Sequence, residues 1–376
     1  MTPAPAKVRL LVLGTGSMAA NHARLFQADA RVDVVAAADV DPGRARTFAA
    51  KHGIETSFGS LDSAIAWGRF DAVTNVTPDA AHHPTAMQII AAKKHILCEK
   101  PLAENYALAN EMAVAAEEAS LINMVNLSYR NVAALQKARS LIAAGELGDI
   151  RHVEASYRQS WLVGKHWGDW RTEPMWLWRL SGKHGSKGVL GDVGIHILDF
   201  ATYAIGMMPI SLQARVKTFP KAEGGRIGDY PLDANDSASL QVEFENGALG
   251  VIHVSRFMTG YGNVLKLDVF GTKGAIEINH GSEWTEIRMC SGEDVHSLAW
   301  RNIAADPVPT IHARFIDAVL KGANGEPSFR RGANLQAILD LCFSAEAVRA
   351  TPVTVAAQAA TLAPMGQATP VPPRPQ

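Results

Sequence analysis

The sequence predicts an α/β protein of two domains, a parallel-sheet domain followed by a domain with an antiparallel sheet. Three observations predict it. Over the first 127 residues, short and nearly continuous apolar runs alternate with stretches of helical spacing. A glycine-rich loop follows the first of these runs. Further along the chain, strands with strict apolar–polar alternation replace the continuous runs, which is typical of strands with one face in water.

The first domain, predicted over residues 1–128, takes its strands from six apolar runs. Helical spacing lies between them, most clearly at residues 78–94 and 104–120. Strands that alternate with helices form βαβ units and a parallel sheet. The six predicted strands are residues 8–13, 32–38, 54–58, 71–76, 95–99 and 122–127.

The second domain, predicted over residues 129–355, has the marks of an antiparallel sheet. Residues 237–244 alternate strictly between apolar and polar side chains, and Asn246 and Gly247 then form a strong hairpin signal. Residues 264–278 repeat this pattern across a second glycine-containing turn. Consecutive strands joined by tight turns pair in antiparallel fashion.

Three helices frame this sheet in the prediction. The first covers residues 131–144 and ends at Gly145, and two late helices cover about residues 310–321 and 331–349. Residues 356–376 form an Ala- and Pro-rich tail with little charge, which we expect to be disordered or loosely docked.

Composition excludes several classes of protein. Of 376 residues, 47% are hydrophobic and 19% are charged, which supports a sizeable core. The formal charge of −1 argues against a nucleic-acid binder, and no apolar segment reaches the roughly 18 residues of a membrane span. Three widely separated cysteines, Cys98, Cys290 and Cys342, exclude a disulfide framework and a close-spaced cysteine zinc site. They favour a reducing compartment, so we expect a cytoplasmic protein.

The glycine loop predicts a dinucleotide site. Gly14, Gly16 and Ala19 follow the first strand and open a helix, which is the context that gives a G-x-G-x-x-A pattern its meaning. The glycines allow the backbone to approach a pyrophosphate at the helix N-terminus. We expect Gly14, Gly16, Ser17 and Met18 to contact the cofactor. A tight turn without a ligand is the alternative.

Asp39, at the end of the second strand, predicts NAD rather than NADP. An acidic side chain there accepts hydrogen bonds from the ribose hydroxyls and repels a 2′-phosphate. Asp41 is a second candidate for this contact, since strand ends are uncertain by a few residues. Arg44 lies close enough in sequence to serve a phosphate, although a solvated arginine at the start of the next helix explains it better.

Two further strand ends belong at the same edge of the sheet, because ligands bind beyond the carboxyl ends of parallel strands. The fourth strand is followed by Thr77, Pro78 and, within the next helix, His82. The fifth strand ends on Glu99 and Lys100, and the following proline holds Lys100 extended. Lys100 is placed to bond a substrate oxygen, although a solvent-exposed lysine at a turn is the simpler interpretation of this residue alone.

The second domain supplies an acid–base candidate. Asp192, His196 and Asp199 lie four and three residues apart and would share one face of a helix. His196 suits proton transfer at neutral pH because its reference pKa is about 6.5. A structural network is the alternative interpretation. Two carboxylates and one histidine make a poor zinc set, so we expect no metal.

The glycine loop, "TPDAAH", "EKP" and "GDVGIHILD", in this order and at these separations, resemble the Gfo/Idh/MocA family, the group of glucose–fructose oxidoreductase and inositol dehydrogenase. The resemblance covers about residues 7–350. It implies a Rossmann domain, an α/β domain with a large, mostly antiparallel sheet, a nicotinamide cofactor, and a sugar or polyol bound between the domains. The family's catalytic lysine, aspartate and histidine correspond to Lys100, Asp192 and His196.

The sequence departs from the family at two places near the expected substrate. Ser186, Lys187 and Gly188 stand where the family often has a glycine run, and Asn131 follows Tyr129 and Arg130 where the family often has a phenylalanine. Tyr129 and Arg130 remain predicted substrate contacts. The departures leave the predicted chemistry intact and bear on the identity of the substrate.

A tryptophan-rich segment is the third candidate feature of the substrate site. Five of eight tryptophans fall within 18 residues, and an indole suits the apolar face of a pyranose ring. We expect Trp161, His166 and Trp167 to contact substrate. A subunit interface or a filled core is the alternative. The excess of lysine and arginine around this segment makes an anionic sugar possible, and a solvated face explains the charges equally well. The five are Trp161, Trp167, Trp170, Trp176 and Trp178.

These features predict an NAD-dependent dehydrogenase acting on a secondary hydroxyl of a sugar, glycoside, anhydrosugar or cyclitol. His196 exchanges the hydroxyl proton, Lys100 bonds the same oxygen, and Asp192 orients substrate or His196. The alternatives are an NAD(P)H-dependent reductase of a keto-sugar, a dinucleotide-sensing regulator on the same fold, and an interaction module. We expect a homodimer or homotetramer, with neither nucleic acid nor membrane as a partner.

Overall fold

The computed structural model describes residues 7–347 and begins with a six-stranded sheet in the order β3-β2-β1-β4-β5-β6. All neighbouring strands are parallel, as predicted. The order reverses between β1 and β4, and the crevice at such a reversal is where open α/β sheets bind ligands. The strands are β1 (Val8–Leu13), β2 (Val32–Ala38), β3 (Thr56–Phe58), β4 (Ala72–Asn75), β5 (His95–Cys98) and β6 (Asn123–Val125).

Helices cross between these strands, and their ends follow from local chemistry. Asp41 caps the second helix by accepting hydrogen bonds from the backbone N–H groups of Gly43 and Arg44, and Gly53 ends the same helix in the left-handed conformation. Asn105 caps the fifth helix in the same way. The helices are α1 (Ser17–Gln27), α2 (Pro42–His52), α3 (Leu61–Trp67), α4 (Asp79–Ala91) and α5 (Tyr106–Glu118).

The second domain is built on an eight-stranded sheet in the order β16-β15-β14-β13-β7-β12-β11-β8. Its β7–β12 pair is parallel and its other neighbouring pairs are antiparallel, so the mostly antiparallel sheet is confirmed. A separate two-stranded ribbon joins β9 and β10. The strands are β7 (Ile150–Gln159), β8 (Pro209–Lys217), β9 (Arg226–Ile227), β10 (Tyr230–Pro231), β11 (Ser237–Phe244), β12 (Leu249–Ser255), β13 (Asn263–Gly271), β14 (Gly274–His280), β15 (Thr285–Ser291) and β16 (Arg301–Asn302).

The remaining helices follow β6 along the chain. They are α6 (Ala133–Ala143), α7 (Pro174–Leu177), α8 (Ile195–Ile205), α9 (Asp294–Ser297), α10 (Ile311–Lys321) and α11 (Phe329–Ala347). The last two return to the first domain, where α10 packs against α1, β1 and β5, and α11 packs against α5. The final residues of the predicted helix 331–349 and the whole predicted tail 356–376 lie outside the described residues.

A π-helical turn at Leu190–Gly194 precedes α8 and changes one prediction. A π turn widens the helix, so Asp192 and His196 are not one regular turn apart. Both still face one cleft, whereas Asp199 lies within the protein beyond it. Within residues 7–347, no helix combines the length and the apolar character that a membrane crossing requires.

Candidate active site

Lys100 lies at the carboxyl end of β5, where it reaches from the first domain into the second. Its Nζ donates to the backbone oxygen of Asp192 at 3.0 Å and to Asp192 Oδ1 at 3.3 Å. Lys100 is therefore anchored at the base of the cleft between the domains.

Asp192 is surrounded by cations. Arg256 Nη2 lies 3.1 Å from Asp192 Oδ2, and Arg179 Nε lies 3.9 Å from the same oxygen. Burial by itself raises the pKa of the Asp192 carboxyl, but Lys100, Arg256 and Arg179 together hold that pKa well below its ordinary value. In Lys100 burial lowers the pKa, and Asp192, Glu99 and Asp79 outweigh it and raise the pKa above its ordinary value. The pair is thus a carboxylate and an ammonium at neutral pH.

His196 lies beside this pair as a neutral imidazole. Burial, followed by the charge of Lys100, lowers the pKa of His196 to about 3. The ring edge meets the Tyr129 ring at 5.0 Å between centroids, and His196 Nδ1 has no hydrogen-bond partner among the described residues. A neutral imidazole beside a lysine ammonium can accept a proton from a hydroxyl whose oxygen the ammonium holds.

Lys100, Asp192 and His196 line one cavity of about 210 Å³. Trp161, which is buried, and Trp176 lie with ring centroids 5.3 Å apart, and Trp167 stacks on Trp176 with rings only 10° from parallel. The tryptophan segment thus forms an aromatic wall of the same cavity. The other lining residues are Tyr157, Gln159, Arg179 and Val193.

A second cavity adjoins the first at Lys100, and we call it the cofactor cavity because residues beside the glycine loop line it. Met18, Val76, Thr77 and Glu99 line it together with Lys100. It lies at the reversal of the strand order, beside the glycine loop. The predicted loop contact Met18 and the predicted strand-end contact Thr77 therefore face the same space as Lys100.

The glycine loop leaves room for a ligand backbone. A Cβ at Gly16 would meet nothing within 4 Å, and Gly16, the residue that precedes α1, provides no side-chain cap for this helix. The first N–H groups of α1, starting at Ser17, are therefore available to an anion. Gly14 has a different reason to be glycine: its φ is +85° and a Cβ would lie 2.7 Å from the Val76 oxygen.

Asp39 is held ready at the end of β2. Its Oδ2 accepts from the Thr15 hydroxyl at 2.6 Å and from the Thr15 N–H at 2.8 Å, and its Oδ1 accepts from the Asp41 N–H at 3.0 Å. Arg44 Nη2 is 3.7 Å from Asp39 Oδ2. Asp41 uses its own carboxylate to cap α2, so of the two candidates for the ribose contact the geometry favours Asp39. The space beside Gly16, the uncapped N-terminus of α1 and the carboxylate of Asp39 together fit a nicotinamide dinucleotide.

Two predicted cofactor contacts have other roles in the structure. The His82 ring is fully buried, with Nδ1 2.7 Å from the Pro101 oxygen and Nε2 2.8 Å from the Thr77 oxygen. His82 therefore ties the ends of β4 and β5 together and does not face the cofactor cavity, which corrects the prediction. Pro78 is the residue before α4 and also stands outside the cavity lining.

Glu99, by contrast, lines the cofactor cavity, but hydrogen bonds to neighbouring residues occupy its carboxylate. Its Oε1 accepts from Asn126 at 2.6 Å and lies 2.9 Å from His22 Nε2, while Oε2 accepts from the Lys100 N–H at 3.1 Å. Burial raises the pKa of Glu99, but the His22 and Asn126 contacts and the Lys100 charge reduce it to about 2. The geometry points to a residue that fixes the Lys100 backbone.

Three predicted substrate contacts lie outside the substrate cavity. Arg130 is buried, and its Nε and Nη2 donate to the two oxygens of Asp199 at 2.6 and 2.7 Å, so this edge of the guanidinium is occupied by Asp199. Tyr129 stands behind His196, with its hydroxyl bonded to Tyr157 and Asn263. His166 is exposed and packs on Trp167 without lining the cavity. The family resemblance placed Tyr129 and Arg130 near the site, and the tryptophan-rich segment placed His166 there. In the structure none of the three side chains lines the substrate cavity.

The sequence interpretation missed several lining and supporting residues. Arg256 follows β12, and Tyr157 and Gln159 end β7. Asn263, at the start of β13, accepts from Tyr157 at 2.7 Å and from Gln159 at 2.9 Å. No local motif marks these residues. The one available signal was that polar side chains end neighbouring strands, and it becomes visible only once the strand order is known.

A larger cavity of about 620 Å³ lies on the other side of Pro101, against α11. Neither Lys100 nor His196 lines it, so we place the chemistry in the two smaller cavities. Within residues 7–347, no group of three or more histidine, cysteine, aspartate or glutamate side chains is arranged to hold a metal ion.

Two family models match the chain. One, described as an oxidoreductase family with an NAD-binding Rossmann fold, covers residues 8–127. The other, described as a GFO/IDH/MocA C-terminal domain, covers residues 135–277. Together they span both sheets and the segments that carry the site.

Curated relatives and solved structures agree with these models. Levoglucosan dehydrogenase of Pseudarthrobacter phenanthrenivorans is 29% identical over 257 residues, which are 65% of this chain and 64% of the relative. The match thus spans slightly less than two thirds of that enzyme. Inositol 2-dehydrogenase of Rhizobium meliloti is 27% identical over 89% of this chain and 95% of its own length. A levoglucosan dehydrogenase solved with NADH and L-sorbose is 25% identical, with a TM-score of 0.81 over 91% of this chain and 97% of that one.

Proposed function

Because this chain belongs to the Gfo/Idh/MocA family of NAD-binding oxidoreductases, we propose that it oxidises a secondary hydroxyl of a sugar, glycoside, anhydrosugar or cyclitol. The observation that carries the proposal is that Lys100, Asp192 and His196 face one cavity of about 210 Å³ beside the cofactor cavity. A cavity of this size is below the range for drug-sized ligands and suits a single ring. The curated relatives named for levoglucosan and inositol support this class of substrate.

The roles of the three residues follow from their charges in the site before substrate binds. Lys100, as an ammonium, donates to the reacting hydroxyl oxygen and stabilises the negative charge that develops there. His196, as a neutral imidazole, accepts the hydroxyl proton. Asp192 holds the Lys100 ammonium in place through the 3.3 Å contact. The predicted orientation of His196 by Asp192 is less favoured, because the Asp192 oxygens bind Lys100 and Arg256.

NAD, when bound, supplies the hydride acceptor. The backbone N–H groups at the start of α1 hold its pyrophosphate, with Gly16 leaving the space for close approach. The Asp39 carboxylate accepts hydrogen bonds from the ribose hydroxyls, and its negative charge disfavours the 2′-phosphate of NADP. Thr77 and Met18 bound the cavity beside Lys100.

Turnover with matched variants tests the proposal. Reduction of NAD and of NADP is followed by absorbance with a panel of inositols, free sugars, glycosides, anhydrosugars and uronates. We expect activity with NAD, and we expect Lys100→Ala and His196→Ala each to lose about 100- to 10,000-fold of it, the range for general acid–base groups. Lys51→Ala, a change of an exposed lysine on α2, is the control.

The alternatives predict other outcomes. A keto-sugar reductase would consume NADH or NADPH with ketoses and leave alcohols unchanged. A dinucleotide-sensing regulator would bind NAD with no turnover in either direction. Either result would contradict the oxidative proposal.

Assembly and location extend the proposal. We infer a homodimer or homotetramer, supported by exposed apolar side chains at Ile210, Leu249 and Trp284 in and around the second sheet. Light scattering coupled to gel filtration measures this, and a monomer at micromolar concentration would contradict it. The three cysteines are buried and unbridged, which supports the cytoplasm as the location.

A further inference from the structure

The charges around the substrate cavity do not balance. Two of its lining side chains are cations, Lys100 and Arg179, and among the described residues that line it Asp192 is the single carboxylate. Arg256, which is completely buried, stands directly behind that carboxylate. One carboxylate is therefore shared by three cations on the substrate side of the cleft.

The three cations lie at different distances from the Asp192 carboxylate, and Arg179 is the farthest from it. Asp192 Oδ1 lies 3.3 Å from Lys100 Nζ, and Oδ2 lies 3.1 Å from Arg256 Nη2. Arg179 Nε is 3.9 Å from Oδ2, too far for a hydrogen bond. The carboxylates on the other side of Lys100, Glu99 and Asp79, line the cofactor cavity, where the nicotinamide brings a positive charge of its own.

The guanidinium of Arg179 is held in place, but it still has hydrogen-bond donors without a partner among the described residues. Its carbon lies 4.6 Å from the Trp178 ring centroid and 5.3 Å from that of Trp176. Its Nη1 donates to the Met175 backbone oxygen, and its Nη2 has no hydrogen-bond partner among the described residues. The side chain keeps 30% of its surface exposed and lines both the substrate cavity and the cofactor cavity.

An arginine positioned by indoles, with one free edge toward a cleft, suits a planar anion. A carboxylate binds two adjacent N–H groups of a guanidinium in parallel, and such charge-assisted pairs are the strong ones. A partly buried group of cations that outnumber their counter-charges is costly, and a substrate anion would offset that cost. The aromatic wall beside Arg179 suits the apolar face of the ring that carries the anion.

We propose that the substrate is a monosaccharide bearing a carboxylate, of the hexuronate class, and that Arg179 binds this carboxylate. The inference rests on the proposed function and narrows it. The sugar ring lies against Trp161 and Trp176, its reacting hydroxyl meets Lys100 and His196, and its carboxylate meets the free edge of Arg179.

The test compares hexuronates with neutral hexoses of the same configuration, and with the methyl esters of the uronates. We expect the native protein to show a higher kcat/KM for the hexuronate. Arg179→Gln should lower that value about 10- to 100-fold, the range for a lost hydrogen bond between charged groups. It should lower kcat/KM for the neutral hexose by a clearly smaller factor, because a neutral ring makes no charge-assisted bond, so the preference for the hexuronate should fall.

Arg171→Gln is the matched control. Arg171 belongs to the same segment and lies over a tryptophan ring, 4.5 Å from the Trp170 centroid, but it lines neither cavity. It should leave both substrates unaffected. Arg179→Lys should show only part of the native preference for the hexuronate. An ammonium keeps the positive charge but lacks the two parallel N–H groups that bind a carboxylate.

A binding measurement separates this inference from the proposed function. Intrinsic tryptophan fluorescence, with NADH present, reports the affinity for each sugar without turnover. Tighter binding of the hexuronate that Arg179→Gln abolishes supports the inference even if no sugar is oxidised. A neutral hexose or a hexose phosphate favoured over the hexuronate, or a preference that survives in Arg179→Gln, overturns it while leaving the dehydrogenase intact.

Discussion

Asp192 and Asp199 stand seven residues apart, on either side of the start of α8, and each is surrounded by cations. Asp199 has 2% of its side chain exposed and is bound by Arg130 at 2.6 and 2.7 Å and by Arg331 at 2.9 Å. Asp192 has 31% exposed, and its nearest cation contacts are 3.1 and 3.3 Å. Asp199 is closed and fully bonded, whereas Asp192 is open, with longer contacts and room for another molecule.

The difference teaches how one helix serves two purposes. The cluster of Asp199 connects α8 to the 3-10 turn Ser128–Asn131, which carries Arg130, and to α11, which packs against α5 of the first domain. The cluster of Asp192 leaves lysine and arginine donors facing a cavity. The same chemistry stabilises the fold where it is complete and binds a ligand where it is incomplete.

The largest effect should come from removing the closed carboxylate. We expect Asp199→Asn to lower the free energy of unfolding by about 3 to 5 kcal/mol, because Arg130 and Arg331 are then buried without their counter-charge. Urea denaturation followed by tryptophan fluorescence measures this loss.

Asp192→Asn is the matched variant, and it should separate the two clusters. Its loss of stability should be smaller, since two of its three cations, Lys100 and Arg179, are partly exposed, while kcat should fall about 100-fold as Lys100 loses its anchor. Because Asp192 helps to raise the pKa of Lys100, the alkaline limb of the pH–rate profile should move to lower pH. Equal losses of stability in the two variants would remove the distinction.

Local patterns in the sequence were enough to locate one half of the candidate site in the fold. The glycine loop, Asp39 and Lys100 each follow a strand within a few residues, so short-range spacing locates them at one edge of the sheet. The fold was predictable for the same reason: continuous runs and strict alternation are local properties of strands. The domain limits and the roles of the site residues stay predictions.

The other half was hidden because its partners are distant in sequence. Asp192 and Asp199 share one spacing pattern, and nothing local tells which is open. The answer depends on Arg130, 69 residues from Asp199, and on Arg331, 132 residues from it. Arg256 is similarly remote from Asp192, at 64 residues. Such pairs are set by sheet order and side-chain direction, which periodicity does not contain.

Two histidines extend the comparison to neutral groups, and their expected effect is smaller. His196 faces the cleft, whereas His312 is sealed against His22 and Phe26, with no partner on either ring nitrogen among the described residues. Burial lowers the pKa of His312 to about 3. Below pH 6.5 the unfolded chain takes up a proton that the folded site refuses, so stability falls as the pH drops.

His312→Met tests this step. At pH 5, the proton uptake by an unfolded histidine corresponds to about 2 kcal/mol. The difference in unfolding free energy between pH 7 and pH 5 should therefore shrink by about that amount in the variant. His296→Gln, a change of a histidine exposed in the folded state, should leave the difference unaltered. An unchanged difference in His312→Met would show that His312 is protonated in the folded protein.

The smallest expected effect separates the two glycines of the loop in the same way. Gly14 is closed, with a φ of +85° and the Val76 oxygen 2.7 Å from a would-be Cβ, whereas Gly16 is open on that side. Gly14→Ala should lower the free energy of unfolding by about 1 to 2 kcal/mol, because alanine is strained in the left-handed conformation, and the clash with the Val76 oxygen adds to this loss.

Gly16→Ala should leave stability almost unchanged and weaken NADH binding about threefold to tenfold, because its methyl group enters the space that a pyrophosphate needs. Fluorescence titration with NADH measures the affinity and thermal unfolding measures the stability. Native affinity in Gly16→Ala would mean that the pyrophosphate does not approach this glycine, and the space beside α1 would then need another occupant.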